Sequence, residues 1–269
     1  MLSFEEFESL TLLANEGKAS VEQLELLEPY RAKRAILLAA GFGSRMLPLT
    51  LNTPKPLIRI NGRRIIESIL DSLIAVGIED IVIVRGYLAE EFEVLLNKYP
   101  MIRFIDNSLF NTTNNISSAL VVLKDDPAAF ENAYVFESDL FIKNPSIITQ
   151  YQWRSNYLGV PVNETPDWCF DVEGDFIRDL HKGGSNCFHM YAISYWSPKD
   201  ATRLAKDIPE AFASEENRQR FWDDVPCVTH RENYEVAVRP CTFEDVEEID
   251  SLSELAAIDP AYHFERSHD

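Results

Sequence analysis

Cations, cysteines and long apolar runs are what this sequence has least of. Its 269 residues carry 25 Lys and Arg against 44 Asp and Glu, a formal charge of −19. Non-specific affinity for a polyanion comes mainly from Lys and Arg neutralising phosphates, so nucleic acid is not an expected partner. Only four cysteines occur, Cys169, Cys187, Cys227 and Cys241, and none has C-x-x-C spacing. Neither a zinc site nor a disulfide framework is expected, and reduced thiols suit a cytoplasmic chain. No apolar stretch approaches the roughly 18 residues of a membrane span, and the acidic opening MLSFEEFESL lacks a signal peptide's basic start, so no membrane partner is expected. The five histidines have no metal-ligand spacing, and His189, on an expected strand, reads as a core or pocket residue.

The few cations are concentrated. From Arg31 to Arg64 there are eight Lys or Arg, and no acid follows until Glu67. A basic island in an acidic chain suits a small anion such as a nucleoside triphosphate. At its centre lies KRAILLAAGFGSRMLPLTLNTPKPL, Lys33 to Leu57. The apolar run Ala35 to Ala40, bounded by Gly41, reads as a fully buried parallel strand. Gly41 and Gly43 then open a loop whose backbone can approach phosphate oxygens. Arg45 follows, and Lys55 sits between Pro54 and Pro56, which restrict its backbone; as a loop residue it is expected to be exposed. A dinucleotide fingerprint fails because Met46 stands where the third glycine belongs and the next strand ends in Arg85 instead of an acid. No G-x-x-x-x-G-K-[ST] occurs, which excludes a P-loop.

Downstream the pattern alternates. Helices are expected over Arg64–Val76, closed by Gly77, over Leu88–Lys98 with Phe92, Leu95 and Leu96 inward, and over Ile116–Lys124. Strands are expected at Ile81–Val84, Ile102–Ile105 and Ala133–Phe136. The fold class this predicts is α/β, a Rossmann-like doubly wound mixed sheet with ligands at the carboxyl ends of its strands. Beyond residue 150 the chain turns strand-rich, with Tyr157–Val162, Trp168–Val172, Phe176–Leu180 and Cys187–Trp196. Helices return at Lys199–Lys206 and around Glu215–Val225, and the last strands are Glu235–Val238 and Val246–Ile249. Residues 1–30 read as a short helical hairpin with Phe4, Phe7, Leu10, Leu12 and Leu13 on one side. The expected organisation is a 1–30 appendage, a 31–258 α/β domain with a strand-rich second part, and a 259–269 tail.

Glu137-Ser138-Asp139 lies at the carboxyl end of the fourth expected strand, in a sheet whose first loop is set up for phosphates. Asp139 there suits a magnesium ion, and the competing role is a helix N-cap by Ser138 or Asp139. Asn114-Asn115-Ile116-Ser117-Ser118 offers polar groups for a base or ribose, or caps for the following helix. In the second half, Trp168, Tyr191, Trp196 and Trp222, the last followed by Asp223 and Asp224, supply aromatic faces and carboxylates. A quaternary ammonium is bound by that combination, although each tryptophan alone also suits a core.

Together, Leu38-Ala39-Ala40-Gly41-Phe42-Gly43-Ser44-Arg45-Met46, Pro48-Leu49-Thr50 and Pro54-Lys55-Pro56-Leu57 resemble the signature of nucleoside-triphosphate transferases that activate sugar and alcohol phosphates. From about Lys33 to about Ile258 the chain most resembles the bacterial CTP:phosphocholine cytidylyltransferases. The resemblance implies Mg²⁺-dependent transfer of CMP from CTP to phosphocholine, giving CDP-choline and pyrophosphate. Lys55 and Arg45 would be catalytic, and Leu38, Ala39, Ala40, Gly41, Gly43, Ser44, Gly86, Asn115 and Ser117 would bind nucleotide. Asp139 would hold the metal together with Asp250, from Val246-Glu247-Glu248-Ile249-Asp250-Ser251. Trp168, Tyr191, Trp222, Asp223 and Asp224 would enclose choline. Residues 1–30 would abbreviate a winged-helix-like extension found in similar enzymes. The alternatives are another acceptor, such as hexose 1-phosphate, 2-aminoethylphosphonate or phosphoethanolamine, and a ligand-sensing regulatory protein.

Overall fold

The computed structural model describes residues 2–263, so the end of the expected tail, 264–269, lies outside the described residues. The eleven strands among them are β1 (Arg34–Ala39), β2 (Arg59–Ile60), β3 (Arg63–Arg64), β4 (Asp80–Arg85), β5 (Arg103–Asp106), β6 (Ala133–Glu137), β7 (Leu140–Ile142), β8 (Asn156–Glu173), β9 (Phe176–Trp196), β10 (Ala237–Pro240) and β11 (Val246–Glu248). The helices are α1 (Phe4–Asn15), α2 (Val21–Leu27), α3 (Ile65–Ala75), α4 (Ile116–Asp125), α5 (Pro198–Ala213) and α6 (Leu252–Ile258).

Apolar side chains on both faces of β1 make it the middle of two cores. Ala35, Leu37 and Ala39 join one cluster with α3, through Ile66, Ile69, Leu70 and Leu73. Ile36 and Leu38 join another with α4, through Ile116, Ala119, Leu120 and Leu123, and with α5, through Ala201, Leu204 and Ile208. Each such Ile or Leu contributes roughly 1.5–3 kcal/mol on burial, and the result is a sheet covered on both faces. Strand order is β10-β8-β9-β6-β1-β4-β5. β1 runs parallel to β4 and β6, and β9 runs antiparallel to both β6 and β8. The expected mixed α/β sheet is therefore present. Gly77 has φ +79° at the end of α3, as a helix-closing residue requires.

Several boundaries differ from expectation. The four short strands of the second half are two long ones, β8 of 18 residues and β9 of 21, paired with repeated register shifts from Tyr157 onward. Bulges let one long strand bend where composition suggests a break. Residues 89–97 form 3₁₀ turns, with Phe92 and Leu95 buried but Leu96 outward. α5 continues past Lys206 and Pro209 to Ala213, because Ile208 and Ala211 are buried in the core. Around residue 220 no single helix forms: a 3₁₀ turn at Glu216–Gln219 precedes a π turn at Val225–Thr229. The N-terminal helices are present, but the expected apolar side is only partly inward. Phe4 and Leu12 are exposed, and Phe7 alone of that row is buried, against Tyr30 and Trp153.

Candidate active site

The glycine loop and the acidic turn meet because β1 and β6 are neighbours in register, Leu38 beside Glu137. The Ser138 hydroxyl donates to the Leu38 carbonyl at 2.8 Å, tying the two strand ends together. Neither Ser138 nor Asp139 caps a helix, since β7 follows directly. Gly43 takes φ +60°, and a Cβ there would lie 3.0 Å from Lys55 Cβ and 3.1 Å from Thr50 Cγ2. Only glycine gives both that conformation and that approach. A Cβ on Gly41 would meet nothing within 4 Å, so its backbone borders open space.

β11 brings in the second acidic pair. It runs antiparallel to β7 with Glu248 opposite Leu140, and the Ile249 amide donates to the Asp139 carbonyl at 3.3 Å. Asp139, Glu248 and Asp250 thereby present carboxylate oxygens within 4.8 Å of one another. Lys55 is buried, contrary to expectation, and its ammonium lies between Asp139 Oδ2 at 2.9 Å and Asp250 Oδ1 at 2.8 Å. Burial acts to lower its pKa, but the two carboxylates outweigh that and hold it above the ordinary value. Arg45, largely exposed, grips Asp250 with both terminal nitrogens, at 2.6 and 2.8 Å. Burial alone would raise the Asp250 carboxyl, yet Lys55 and Arg45 hold it below its usual range. Glu248 has no cation of its own: burial, then Asp139 and Asp250, push it up to about 8. An all-oxygen donor set with one carboxylate left unneutralised fits a hard divalent cation.

Two cavities that share Arg45, Glu137, Asp139, Phe221 and Asp250 in their walls open here, of about 290 and 380 Å³. The first is lined by Leu38, Ala39, Ala40, Gly41, Gly43, Ser44, Arg45, Lys55, Asn115, Asp139 and Asp250, so most of the expected nucleotide residues are brought together. Gly86 and Ser117 are not among its lining residues. A Cβ on Gly86 would meet Phe110 at 2.7 Å and the Ala40 carbonyl at 2.9 Å, so that glycine makes room behind the loop. The Ser117 hydroxyl is buried, accepting from Asn107 and donating to the Asn114 carbonyl, and its neighbour Ser118 lines the cavity instead. Asn115 stands at the N-cap of α4 without capping it. Its Nδ2 donates to Glu137 at 2.7 Å and its Oδ1 accepts from the Trp222 amide at 2.8 Å, linking the nucleotide side to the segment after α5.

The second cavity adjoins Arg45, Asp139 and Asp250 and is walled by Asp167, Trp168, Lys182, Phe221, Asp223, Asp224 and Glu248. Trp168 and Phe221 meet edge to face at 5.6 Å. The expectation for Trp222 and Tyr191 is corrected. Trp222 is 2% exposed, packed among Phe130, Tyr157 and Trp196, and presents no face to a ligand. Tyr191 is buried with its hydroxyl on the Val246 carbonyl at 2.9 Å, which holds β11 to β9. Trp196 is likewise core. Asp223 accepts from the Tyr157 hydroxyl at 3.1 Å, and its burial pushes it up to about 7 despite that bond. Asp224 is raised too, by burial. Burial and the charges of Asp139 and Asp223 push Glu137 well above the usual range. Sequence reasoning missed Phe221, Glu137 and Glu248. Phe221 immediately precedes Trp222, and Glu137 and Glu248 each lie two positions before an aspartate that was singled out, the spacing that keeps two extended residues on one face.

Fold and site define a class: the chain belongs to the nucleotidyl transferase family, whose profile matches residues 34–155, and within it to the cytidylyltransferases. The curated 2-aminoethylphosphonate cytidylyltransferase of Lancefieldella rimae is 39% identical over 233 residues, 85% of this chain and 92% of that protein. The choline-phosphate cytidylyltransferase of Streptococcus pneumoniae is 31% identical over 84% of this chain and 96% of its own. The solved CTP:phosphocholine cytidylyltransferase of Streptococcus pneumoniae superposes with a TM-score of 0.75 at 30% identity, covering 86% of this chain and 99% of that one. The protein is thus a cytidylyltransferase that acts on an acceptor bearing a phosphate-type group. No described helix is long and apolar enough to cross a membrane.

Proposed function

We propose that the protein transfers CMP from CTP to a small phosphonate or phosphate whose other end is a primary ammonium, with 2-aminoethylphosphonate as the acceptor. One observation carries this reading: the acceptor cavity is walled by carboxylates, while Trp222, which would have enclosed a trimethylammonium, lies in the core. A primary ammonium donates three hydrogen bonds, and Asp223, Asp224, Asp167 and Glu137 offer acceptors in excess. Burial raises the pKa values of Asp223, Asp224 and Glu137, and a cationic acceptor would offset the cost of charging them. The name of the Lancefieldella rimae relative supports the same acceptor. Phosphocholine is the second reading, favoured by the edge-to-face Trp168–Phe221 pair and by the Streptococcus pneumoniae relative.

In the reaction, an acceptor oxygen attacks the α-phosphorus of CTP, the new O–P bond forms, and the bond to the β-phosphate oxygen breaks to release pyrophosphate. A phosphonate dianion is already nucleophilic, so positioning and charge neutralisation carry the catalysis. Loop amides around Gly41 and Gly43 and the Arg45 guanidinium would hold the β- and γ-phosphates, and Lys55 would lie between the α-phosphate and the acceptor. Asp139, Glu248 and Asp250 would hold Mg²⁺, which supplies charge neutralisation at the α-phosphate.

Pyrophosphate release with CTP across 2-aminoethylphosphonate, phosphoethanolamine, phosphocholine and glucose 1-phosphate tests the assignment. The primary amines should be preferred by about tenfold or more over phosphocholine, and Asp224→Asn should raise the acceptor KM about 10-fold, the worth of a charge-assisted hydrogen bond, while the KM for CTP stays within about twofold. A tenfold preference for phosphocholine would establish the second reading, and turnover of glucose 1-phosphate alone would overturn both.

A further inference from the structure

Glu137 and Phe221 wall both cavities, come from distant parts of the chain, and are tied to one side chain between them. Asn115 Nδ2 donates to Glu137 at the end of β6, at 2.7 Å, and Asn115 Oδ1 accepts from the Trp222 amide, next to Phe221, at 2.8 Å. The bonds around that amide form a strap. The Gln219 side chain donates to the Thr112 carbonyl at 2.9 Å, the Asn114 backbone N–H to the Arg218 carbonyl at 2.9 Å, and Asn114 Nδ2 to the Gln219 carbonyl at 3.1 Å. Residues 112–115 border the nucleotide cavity through Thr113, Asn114 and Asn115, and residues 218–222 lead into Phe221, Asp223 and Asp224 of the acceptor cavity. The second segment lies between a 3₁₀ turn and a π turn, outside any strand or α-helix, so these bonds and the burial of Trp222 hold it in place.

A side-chain amide offers donors at one end and an acceptor at the other, and in Asn115 both ends are engaged within the protein. That use competes with the direct nucleotide contact that the family resemblance implies for Asn115. We propose that Asn115 is a positioning residue that couples the two cavities: through Glu137 and the Trp222 backbone it passes the order that CTP imposes on residues 112–115 to the segment that binds the acceptor. This rests on the reading of the first cavity as the CTP site and the second as the acceptor site. A ligand that fixes one end of the strap lowers the cost of ordering the other end, so each ligand strengthens the binding of the other by the same factor.

Calorimetric titration of the full-length protein tests this, with Mg²⁺ and α,β-methylene-CTP, whose carbon bridge prevents transfer. The acceptors are 2-aminoethylphosphonate and phosphocholine, each with and without saturating analogue. Which of them binds more tightly tests the acceptor assignment, and the ratio of its two Kd values tests the coupling, so the two readings fail separately. Wild type should bind that acceptor about tenfold more tightly beside the analogue. Asn115→Ala should bring the ratio below about twofold, while the Kd of the analogue alone changes by less than about threefold. Asn115→Asp sets a carboxylate against Glu137 and should lose the ratio too. Asn115→Asp combined with Glu137→Gln reverses donor and acceptor between these two side chains, keeps an oxygen for the Trp222 amide, and should restore the ratio to about fivefold or more. An unaltered ratio in Asn115→Ala, a ratio near one in wild type, or no recovery in the double variant would overturn the proposal. So would an analogue Kd weakened about tenfold in Asn115→Ala, which would make Asn115 a direct nucleotide ligand.

Discussion

At the scale of single residues, Lys55 is the one whose environment changes what a substitution should do. It is a buried cation between two carboxylates, so it serves the ligand-free protein as well as the reaction. Lys55→Met should lower turnover at least about a hundredfold, because the group sits where charge concentrates in the transition state. It should also destabilise the metal-free protein by roughly 1–3 kcal/mol, less than the 3–5 of a fully buried pair since both acids keep some solvent. Added Mg²⁺ should therefore raise the melting temperature of Lys55→Met more than that of wild type, whereas Glu248→Gln should blunt the Mg²⁺ shift of either protein. Equal shifts in all of these variants would remove the three carboxylates from the metal site. Lys55 was legible in the sequence as a functional cation from its flanking prolines and the family signature, but not its burial, which depends on acids 84 and 195 positions away.

Among the elements, the glycine loop and the β8–β9 ribbon contrast in how locally they are determined. The loop's shape follows from its own residues, since Gly43 has the left-handed backbone and leaves space for Lys55 and Thr50. Gly43→Ala adds a Cβ to both constraints and should cost about 1–2 kcal/mol of stability. It should reduce kcat/KM for CTP by at least about tenfold, through displacement of Lys55. A variant with wild-type kinetics would show that the loop does not set the Lys55 position. The ribbon is different. Its bulges come from pairing with the following strand, so a sequence reading breaks β8 between Val162 and Trp168 and misses that one bent strand carries Trp168 to the cavity. The same limit explains the exchange of Trp222 for Phe221: adjacent aromatics in an irregular segment give no period from which to choose the inward one.

Charge is what matters at the scale of the whole molecule. A chain of net charge −19 collects several of its acids around one site. Asp223, pushed up to about 7 by burial, lies above its ordinary value, so its contribution to stability is full below about pH 4 and is lost as the pH rises through 7. The ligand-free protein should therefore melt at a lower temperature at pH 8 than at pH 5, and Asp223→Asn should reduce that difference. A pH dependence identical to wild type would contradict a buried, unneutralised Asp223. An acceptor bearing an ammonium should oppose the loss at pH 8, which links the molecule's acidity to its substrate.

The sequence by itself determined the local and the periodic: the buried β1, the glycine loop, the alternation that makes an α/β sheet, and, through the family signature, most residues around the nucleotide cavity. These are properties of contiguous residues, carried by backbone conformation and by spacing of two or 3.6. The resemblance pairs Asp139 with Asp250, but only the tertiary structure adds Glu248 to them, since the register of β11 on β7 brings all three carboxylates together. The tertiary structure also decided that Trp222 and Tyr191 belong to the core while Phe221 lines the second cavity. Burial is a sum over neighbours from many parts of the chain, so no single segment encodes it.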